Sequence, residues 1–231
     1  MSPKPSLGSV LCESTVEFLA ERVLFQDDAI LAVDKPEGVA AIPGGGEQES
    51  VLTQLQDSLF GKLFVVHRLD KEVSGVMIFA RTPQAHRSLS RQFSAHQAQK
   101  TYVALVHGEL ADNDGLIDKP LRAFGSGRVG VCEDGKPSVT RFAVVERLQG
   151  YTLLHVYPRT GRRHQIRVHL YADGHPIVGD RRYGDREIQG RYPRLMLHAW
   201  RLTLVHPDGR MLEMTAEPPG SFVRVLESLR H

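Results

Sequence analysis

The sequence predicts an α+β fold with a mixed, mainly antiparallel sheet core and flanking helices. Most strand-like segments are joined by short turns, and the helical segments do not alternate regularly with them, as a doubly wound parallel sheet would require. The chain has 231 residues, 41% hydrophobic and 24% charged, which is typical of a globular domain with a substantial core. We expect residues 1-22 to form an N-terminal lead-in and residues 23-231 to form a single domain.

The strands are predicted from apolar runs bounded by turn residues. In chain order they lie at 23–25, 29–33, 63–66, 76–79, 101–106, 139–147, 151–157, 195–205 and 211–216. The helices are predicted from capping residues and helical spacing. They lie at 14–22, 50–60, 82–96, 163–171 and 222–229. Residues 110–131 are predicted to be rich in loops.

Local signals support several of these boundaries. Thr82 followed by Pro83 is a helix cap with proline at the first helical position. Gly174 stands where a helix ending near residue 171 needs a left-handed residue. The run His206-Pro207-Asp208-Gly209 is typical of a hairpin turn, so the last two strands are expected to be neighbours.

The chain contains only two cysteines, Cys12 and Cys132. That number excludes a disulfide framework and a cysteine-rich zinc ribbon. No apolar stretch is long enough to cross a membrane, and the N-terminus lacks the apolar segment of a signal peptide. The sequence therefore predicts a cytoplasmic protein without a membrane partner.

Basic residues are concentrated in the stretch 159–201. It holds ten arginines, no lysine and only four acids, whereas the whole chain carries a formal net charge of +2. Guanidinium groups bind phosphates through paired hydrogen bonds and stack on bases. Some of these arginines could pair with local acids or lie on a solvated face, but four acids cannot neutralise ten. The stretch favours a nucleic acid as the partner.

One acid, Asp70, lies in an unusual setting. The run His67-Arg68-Leu69-Asp70-Lys71-Glu72-Val73-Ser74-Gly75 joins two apolar segments that we predict to be strands. A polar loop on a rigid scaffold is a common way to present a catalytic group. A solvated surface turn is the alternative, and it is weakened because a histidine, an arginine and an aspartate lie within four positions.

A candidate partner for Asp70 lies in the helix predicted at 163–171. Ile166 and Leu170 share a face that can pack into the core. Another face is shared by Arg163, Arg167 and Tyr171. An arginine anchored on a core helix is well placed to hold a carboxylate ionised and to fix its direction.

Tyr102 lies on the strand predicted at 101–106. Its ring is a rigid plane on which a nucleobase could stack. Taken alone, a tyrosine on a strand usually belongs to the core, so Tyr102 is a candidate only in combination with the other residues.

Two further patterns do not support a ligand. The run Gly125-Ser126-Gly127-Arg128-Val129-Gly130 matches G-x-G-x-x-G, but no strand precedes it directly and no helix follows. His164 and His169 are five positions apart, which misses the spacing of a zinc-binding helix. Neither pattern therefore gives a reason to expect a cofactor or a metal ion.

Three of these runs together resemble the motifs of the RluA-type family of RNA pseudouridine synthases. Residues 67–75 are similar to H-R-L-D-x-x-T-S-G, residues 100–108 to K-x-Y-x-A-x-V-x-G, and residues 160–169 to T-G-R-x-H-Q-I-R-x-H. Shorter matches lie at 34–38, 175–180, 183–184 and 195–199, so the resemblance extends from about residue 24 to 222. It departs from the pattern at Val73, where the family usually has a threonine whose hydroxyl could brace the turn. The resemblance is greatest to short members, so we expect no S4-type RNA-binding domain.

The resemblance implies a pseudouridine synthase fold and isomerisation of uridine in structured RNA, either ribosomal RNA, transfer RNA or both. It implies Asp70 as the catalytic carboxylate, acting as nucleophile or base. Arg167 would pair with Asp70, and Tyr102 would stack on the uracil. Arg68 would fill the gap left by the extruded nucleotide, and further RNA contacts are expected from His67, Arg162, Arg163 and His164. The enzyme is expected to be a monomer that needs no protein partner.

Two other classes of protein are considered. A catalytically silent RNA-binding module on the same fold has no reason to keep an acid beside bound phosphates. A nuclease using His67, His164 and Arg167 would need a paired general acid or a metal cluster, and neither is recognisable in the sequence.

Overall fold

The computed structural model describes residues 21–44, 46, 48–125 and 127–230. The helix predicted at 14–22 and the lead-in predicted at 1–22 therefore lie, except for their last two residues, outside the described part of the chain. The assignment of residues 23–231 to a single domain stays a prediction.

The described residues form strands and a smaller number of helices. In chain order the strands are β1 (Val23–Gln26), β2 (Ile30–Lys35), β3 (Phe64–Val65), β4 (Ser74–Ala80), β5 (Gln99–His107), β6 (Asp114–Asp118), β7 (Leu121–Ala123), β8 (Val129–Val131), β9 (Val139–Leu148), β10 (Tyr151–Pro158), β11 (Leu197–Val205) and β12 (Met211–Thr215). The helices are α1 (Val51–Leu55), continued by a π-helical turn at Gln56–Phe60, α2 (Pro83–Ser94), α3 (Gln165–Ala172), α4 (Arg186–Gln189) and α5 (Gly220–Ser228). None of these helices is long and apolar enough to cross a bilayer.

Most of the strands belong to one sheet. Its order is β1-β2-β4-β11-β5-β10-β9-β6, with β12 beside β11 and β3 beside β4, while β7 and β8 form a separate hairpin. In the described part of the chain β4 and β11 are parallel, and the other neighbours are antiparallel. The predicted α+β fold with a mainly antiparallel mixed sheet is therefore confirmed.

The central strands are apolar on both faces. Along β2, Leu31 and Val33 enter one buried cluster, whereas Ile30 and Ala32 enter another on the opposite side of the sheet. Helix α2 covers the second cluster, and α3 and α5 contribute side chains to the first. Because side chains alternate between the two faces of a strand, the same short strand contributes residues to both hydrophobic clusters.

Gly75 allows β4 and β11 to come close enough to pair in parallel. Its φ is +114°, and a Cβ built there would lie 2.1 Å from the carbonyl oxygen of Ala199. Only glycine fits both the backbone conformation and the contact. The glycine that ends the Asp70 turn thus locks the base of that turn against β11.

Two predictions from the sequence were wrong in detail. Residues 110–131, predicted to be loop-rich, contain β6, β7 and β8, which are short and rich in polar residues or glycine. The helix predicted from Arg163 begins at Gln165, because His164 takes a left-handed conformation with φ of 54°. Arg163 therefore precedes the helix, and Tyr171 is 49% exposed while Arg167 is buried, so these residues do not share one face.

Candidate active site

A cleft of about 780 Å³ opens beside the turn between β3 and β4. Its walls include every residue that was singled out from the sequence: His67, Arg68, Asp70, Tyr102, Arg162, Arg163, His164 and Arg167. They come from the turn before β4, from β5, from the loop that leads into α3 and, for Arg167, from α3 itself. The fold therefore brings distant segments of the chain to one cavity.

The Asp70 turn is anchored by apolar side chains on both sides. Leu69 and Val73 are buried in the main core, and the Val73 N–H donates to the carbonyl of Asp70 at 3.1 Å. The Asp70 side chain is 21% exposed and lines the cleft. Valine at position 73 thus supplies an apolar anchor where the resembling family has a hydroxyl.

Arg167 is the buried partner of that carboxylate. Its Nη1 donates to Asp70 Oδ2 at 3.2 Å and to Glu72 Oε2 at 3.3 Å, and its side chain is 3% exposed. Burial alone would lower the pKa of Arg167, but the hydrogen bonds and charges of Asp180, Asp70 and Glu72 raise it above its usual value. The guanidinium is therefore a permanent cation directly behind Asp70.

Asp180 fixes the direction of this guanidinium. Arg167 Nε and Nη2 donate to the two oxygens of Asp180, both at 2.8 Å, and the Asp180 side chain is 1% exposed. The same carboxylate accepts the backbone N–H groups of Arg182 and Tyr183. Such a two-point fork leaves Nη1 as the part of the guanidinium that faces Asp70.

Asp180, Glu72 and Tyr183 were not predicted as site residues. Asp180 lies in the matched run 175–180, yet nothing in its spacing or its neighbours joins it to Arg167. The usable signal was the arginine itself, because a guanidinium on a core-facing helix needs a buried carboxylate. That reasoning predicts that Arg167 has an acidic partner, but it does not predict which acid the partner is.

His164 lies at the start of α3 with its ring turned towards Asp70. Its Nε2 is 3.7 Å from Asp70 Oδ2, and its Nδ1 is 2.7 Å from the hydroxyl of Tyr183. Burial lowers the pKa of His164, and the negative charge of Asp70 opposes this only in part. The ring is therefore neutral near pH 7. It lies beside the Asp70 carboxylate as well as lining the cleft.

Tyr102 lies on β5, where it pairs with Val156 of β10 and Ala199 of β11. Burial and the negative charge of Asp70 both raise the pKa of its hydroxyl above the usual value. Lys100, two residues earlier on the same strand, also lines the cleft, and burial lowers its pKa. Strand β5 therefore contributes two side chains to the cleft: the ring of Tyr102, with its hydroxyl protonated, and Lys100.

His67 and Arg68 precede Asp70 but have different surroundings. His67 Nε2 accepts the N–H of Ile78 at 3.0 Å, and its ring stacks on Phe93 with centroids 4.7 Å apart. Burial lowers the pKa of His67 to about 3, which agrees with its role as an acceptor. His67 therefore supports β4, and its contact with RNA stays a prediction, whereas Arg68 is exposed at the cleft.

The loop before α3 is held in place by Gln165. Its Oε1 accepts the Thr160 hydroxyl at 2.6 Å and the Arg162 N–H at 3.0 Å. Arg162 and Arg163 are exposed on the wall of the cleft. Not all of the arginine-rich stretch is available to a polyanion, because Arg167 is buried against acids and Arg194 is buried against Glu37.

A buried lysine supports the Asp70 turn from behind. Lys35 is fully buried, and its ammonium donates to the carbonyl oxygens of Pro36, Val39 and Lys71 at 2.7, 2.8 and 3.1 Å. Burial lowers its pKa to about 8, so it remains mostly charged at neutral pH. Through these three hydrogen bonds, the Lys35 ammonium joins the segment after β2 to Lys71, the residue that follows Asp70.

Replacing Lys35 with methionine is expected to destabilise the protein by about 2–3 kcal/mol, because buried carbonyls lose their donor. The exposed Lys136→Met serves as the matched control and is expected to change stability by less than about 0.5 kcal/mol. Urea denaturation of both variants measures the difference. Equal midpoints for the Lys35 and Lys136 variants would show that the buried ammonium does not brace the turn.

Among the described residues, no group of three or more histidine, cysteine, aspartate or glutamate side chains could hold a metal ion.

Comparisons with known proteins agree with this geometry. A family model described as RNA pseudouridylate synthase matches residues 29–172. The dual-specificity RNA pseudouridine synthase RluA of Escherichia coli is 43% identical over 206 residues, which cover 87% of this chain and 93% of that protein. Ribosomal large subunit pseudouridine synthase D of Nitrosomonas europaea is 36% identical over 231 residues, covering 93% of this chain and 67% of that protein. The structure of human RNA pseudouridylate synthase domain containing 4 superimposes with a TM-score of 0.80 at 25% identity, over 95% of this chain and 97% of that one.

Proposed function

This chain belongs to the RluA-type family of RNA pseudouridine synthases, and we propose that it isomerises specific uridines to pseudouridine in ribosomal RNA, transfer RNA or both, with Asp70 as the catalytic carboxylate. It acts as a monomer in the cytoplasm, without a cofactor or a protein partner. Light scattering of the purified protein tests the monomeric state, and we expect the mass of a single chain.

A single observation carries the assignment of Asp70. Its carboxylate lies in an open cleft with one oxygen, Oδ2, held by Arg167 Nη1 at 3.2 Å. No described residue donates a hydrogen bond to the other oxygen, Oδ1. A carboxylate that is fixed on one side and open on the other can reach a nucleotide placed in the cleft.

The reaction exchanges one bond for another within a single nucleotide. The C1′–N1 bond of uridine breaks, the uracil turns, and C5 forms a bond to C1′. The proton leaves C5 and N1 gains a proton, so atoms and electrons balance without a redox partner. Asp70 acts at the sugar or at the uracil, as nucleophile or as base.

The other site residues act on the flipped nucleotide. Extrusion of a base from a helix costs a few kcal/mol, which contacts in the pocket must recover. Tyr102 stacks on the uracil, and its raised pKa keeps the hydroxyl protonated, so it serves as a hydrogen-bond donor rather than as a phenolate base. Arg68, exposed at the mouth of the cleft, fills the place of the extruded nucleotide.

Release of tritium from RNA labelled at C5 of uridine tests the function. We expect the protein to release tritium from ribosomal or transfer RNA while the strand length stays unchanged on a gel. Strand scission would instead favour the nuclease that uses His67, His164 and Arg167. Binding without release or scission would favour the silent RNA-binding module.

Binding of RNA is expected to weaken as salt rises, because exposed arginines displace counterions from phosphates. Arg162→Ser and Arg163→Ser should each lower the slope of log affinity against log salt by about 1. Fluorescence anisotropy at several salt concentrations measures the slopes, and Arg230→Ser, at a surface away from the cleft, is the control. Unchanged slopes in the first two variants would remove these arginines from the RNA interface.

A further inference from the structure

Tyr183 is a buried tyrosine beside the cleft that the proposed chemistry does not use. Its side chain is nearly inaccessible, and the guanidinium carbons of Arg128 and Arg167 lie 5.7 and 5.4 Å from its ring centre. It belongs to a small apolar cluster with Leu121, Val129 and Val168. Packing accounts for the ring, but it does not account for the hydroxyl, which is placed between two polar partners.

The hydrogen-bond partners of this hydroxyl determine where its proton goes. The backbone N–H of Val129 donates to the Tyr183 oxygen at 3.1 Å. That oxygen is also 2.7 Å from His164 Nδ1. A phenol has a single proton to donate, and an unprotonated Nδ1 at 2.7 Å is a good acceptor for it, while the Val129 N–H occupies a lone pair of the same oxygen. His164 Nδ1 is then an acceptor, and the neutral ring carries its proton on Nε2.

The protonated nitrogen faces the catalytic carboxylate. His164 Nε2 lies 3.7 Å from Asp70 Oδ2, the same oxygen that receives Arg167 Nη1. The opposite tautomer would turn a lone pair towards that negative oxygen, which is unfavourable. The hydroxyl of Tyr183 and the charge of Asp70 therefore favour the same tautomer, the one that turns a donor towards Asp70.

The backbone of His164 has an unusual conformation. His164 precedes α3 in a left-handed conformation with φ of 54° and ψ of 17°, which is uncommon for a residue with a Cβ. Its side chain makes no capping hydrogen bond to the helix. Strain of this kind persists where the surroundings fix it and is concentrated at functional sites. Here the strained residue is the one whose ring lies against Asp70 and Tyr183.

We propose that Tyr183 is a positioning residue for uridine isomerisation: its hydroxyl holds His164 in the Nε2–H tautomer, which adds a second N–H beside Arg167 at Asp70 Oδ2 and leaves Oδ1 to the substrate. The inference rests on the proposed function because it assigns Asp70 to the chemistry. Tyr183 is not among the residues that line the cleft, and it acts through His164.

A pair of variants separates this role from simple packing. Tyr183→Phe keeps the ring and removes the hydroxyl, and we expect kcat to fall about tenfold with KM for RNA within twofold, since a hydrogen bond near a charge is lost. His164→Gln places a side-chain N–H₂ near the Nε2 position but has no tautomer to set. In that background Tyr183→Phe should change kcat by less than about twofold. Tyr171→Phe, on the exposed side of α3, is the matched control.

Several outcomes would overturn the proposal. An equal loss from Tyr183→Phe in both backgrounds would mean that the hydroxyl acts by supporting the fold, and no loss in the wild type would mean that it has no role. A wild-type protein that forms no pseudouridine refutes the proposed function instead. The tautomer can still be measured in that case, because it requires no substrate.

Nitrogen NMR of protein labelled at histidine measures the tautomer directly. His164→Gln identifies the pair of ring signals that belongs to His164. We expect the wild type to show a protonated Nε2 and an unprotonated Nδ1, and Tyr183→Phe to show a larger fraction of the Nδ1–H tautomer than the wild type. A protonated Nδ1 in the wild type contradicts the proposal whatever the kinetics, and this result decides the matter if His164→Gln has no measurable turnover.

Discussion

Asp70→Asn is expected to lower turnover by at least about a thousandfold, because an amide is neither a nucleophile nor a base at neutral pH. Affinity for RNA should stay within a few-fold of the wild type. Asp70 is one partly exposed acid at a cleft whose walls include Arg68, Arg162 and Arg163, so binding does not depend on its charge. Tritium release gives the turnover, and anisotropy with the same RNA gives the affinity.

The exposed Asp112→Asn is the matched control for this substitution. It removes the same charge by the same change, away from the residues that line the cleft. Wild-type turnover is expected for it. Full turnover by the Asp70 variant would refute the assignment, and a large loss of RNA affinity would mean that Asp70 contributes to binding as well as to chemistry.

Arg167→Met is expected to destabilise the fold by about 3–5 kcal/mol and to abolish activity, because it leaves the buried carboxylate of Asp180 without its cation. For a chain of this length that corresponds to a fall in Tm of roughly 10 °C. The exposed Arg163→Met is the control, and its Tm should stay within about 2 °C of the wild type. Thermal denaturation followed by circular dichroism measures both.

The double variant Arg167→Met with Asp180→Asn separates stability from catalysis. The amide still accepts the backbone N–H groups that Asp180 binds now, but it carries no unpaired charge. Part of the lost stability should return, while turnover stays low because the guanidinium that donates to Asp70 Oδ2 is gone. Recovery of turnover together with stability would mean that Arg167 serves the fold alone.

Some features of this molecule could be predicted from the sequence because they are local. The turn at Asp70 is flanked by apolar runs whose residues favour strands, and the hairpin at residues 206–209 has side chains that favour a turn. Ile166 and Leu170 were placed in the core by their spacing, and both are buried in the main cluster. These signals depend on residues within a few positions of each other.

Other features depend on contacts between distant segments, which spacing does not reveal. The start of α3 was placed two residues early because the conformation of His164 is set by tertiary contacts with Tyr183 and Asp70. The short strand β8 was missed because its three residues are stabilised by pairing with β7 rather than by their own pattern. Long-range pairing can outweigh local propensity.

The same reasoning applies to the catalytic candidates. Motif resemblance identified Asp70 and Arg167, yet the residues that orient them lie far away in sequence or were not assigned roles. Asp180 directs the guanidinium, Lys35 supports the turn, and Tyr183 contacts the His164 ring. These residues make the site rigid, and rigidity is a property of the folded chain that a linear motif does not express.

Analysis of the nucleosides released by complete digestion of treated RNA is the most direct test that a fixed carboxylate at residue 70 converts uridine to pseudouridine. RNA incubated with the wild type should yield pseudouridine in place of an equal amount of uridine, with the strand intact before digestion, and RNA incubated with Asp70→Asn should yield none. Equal pseudouridine from both proteins, or none from the wild type on any structured RNA tested, would contradict this account.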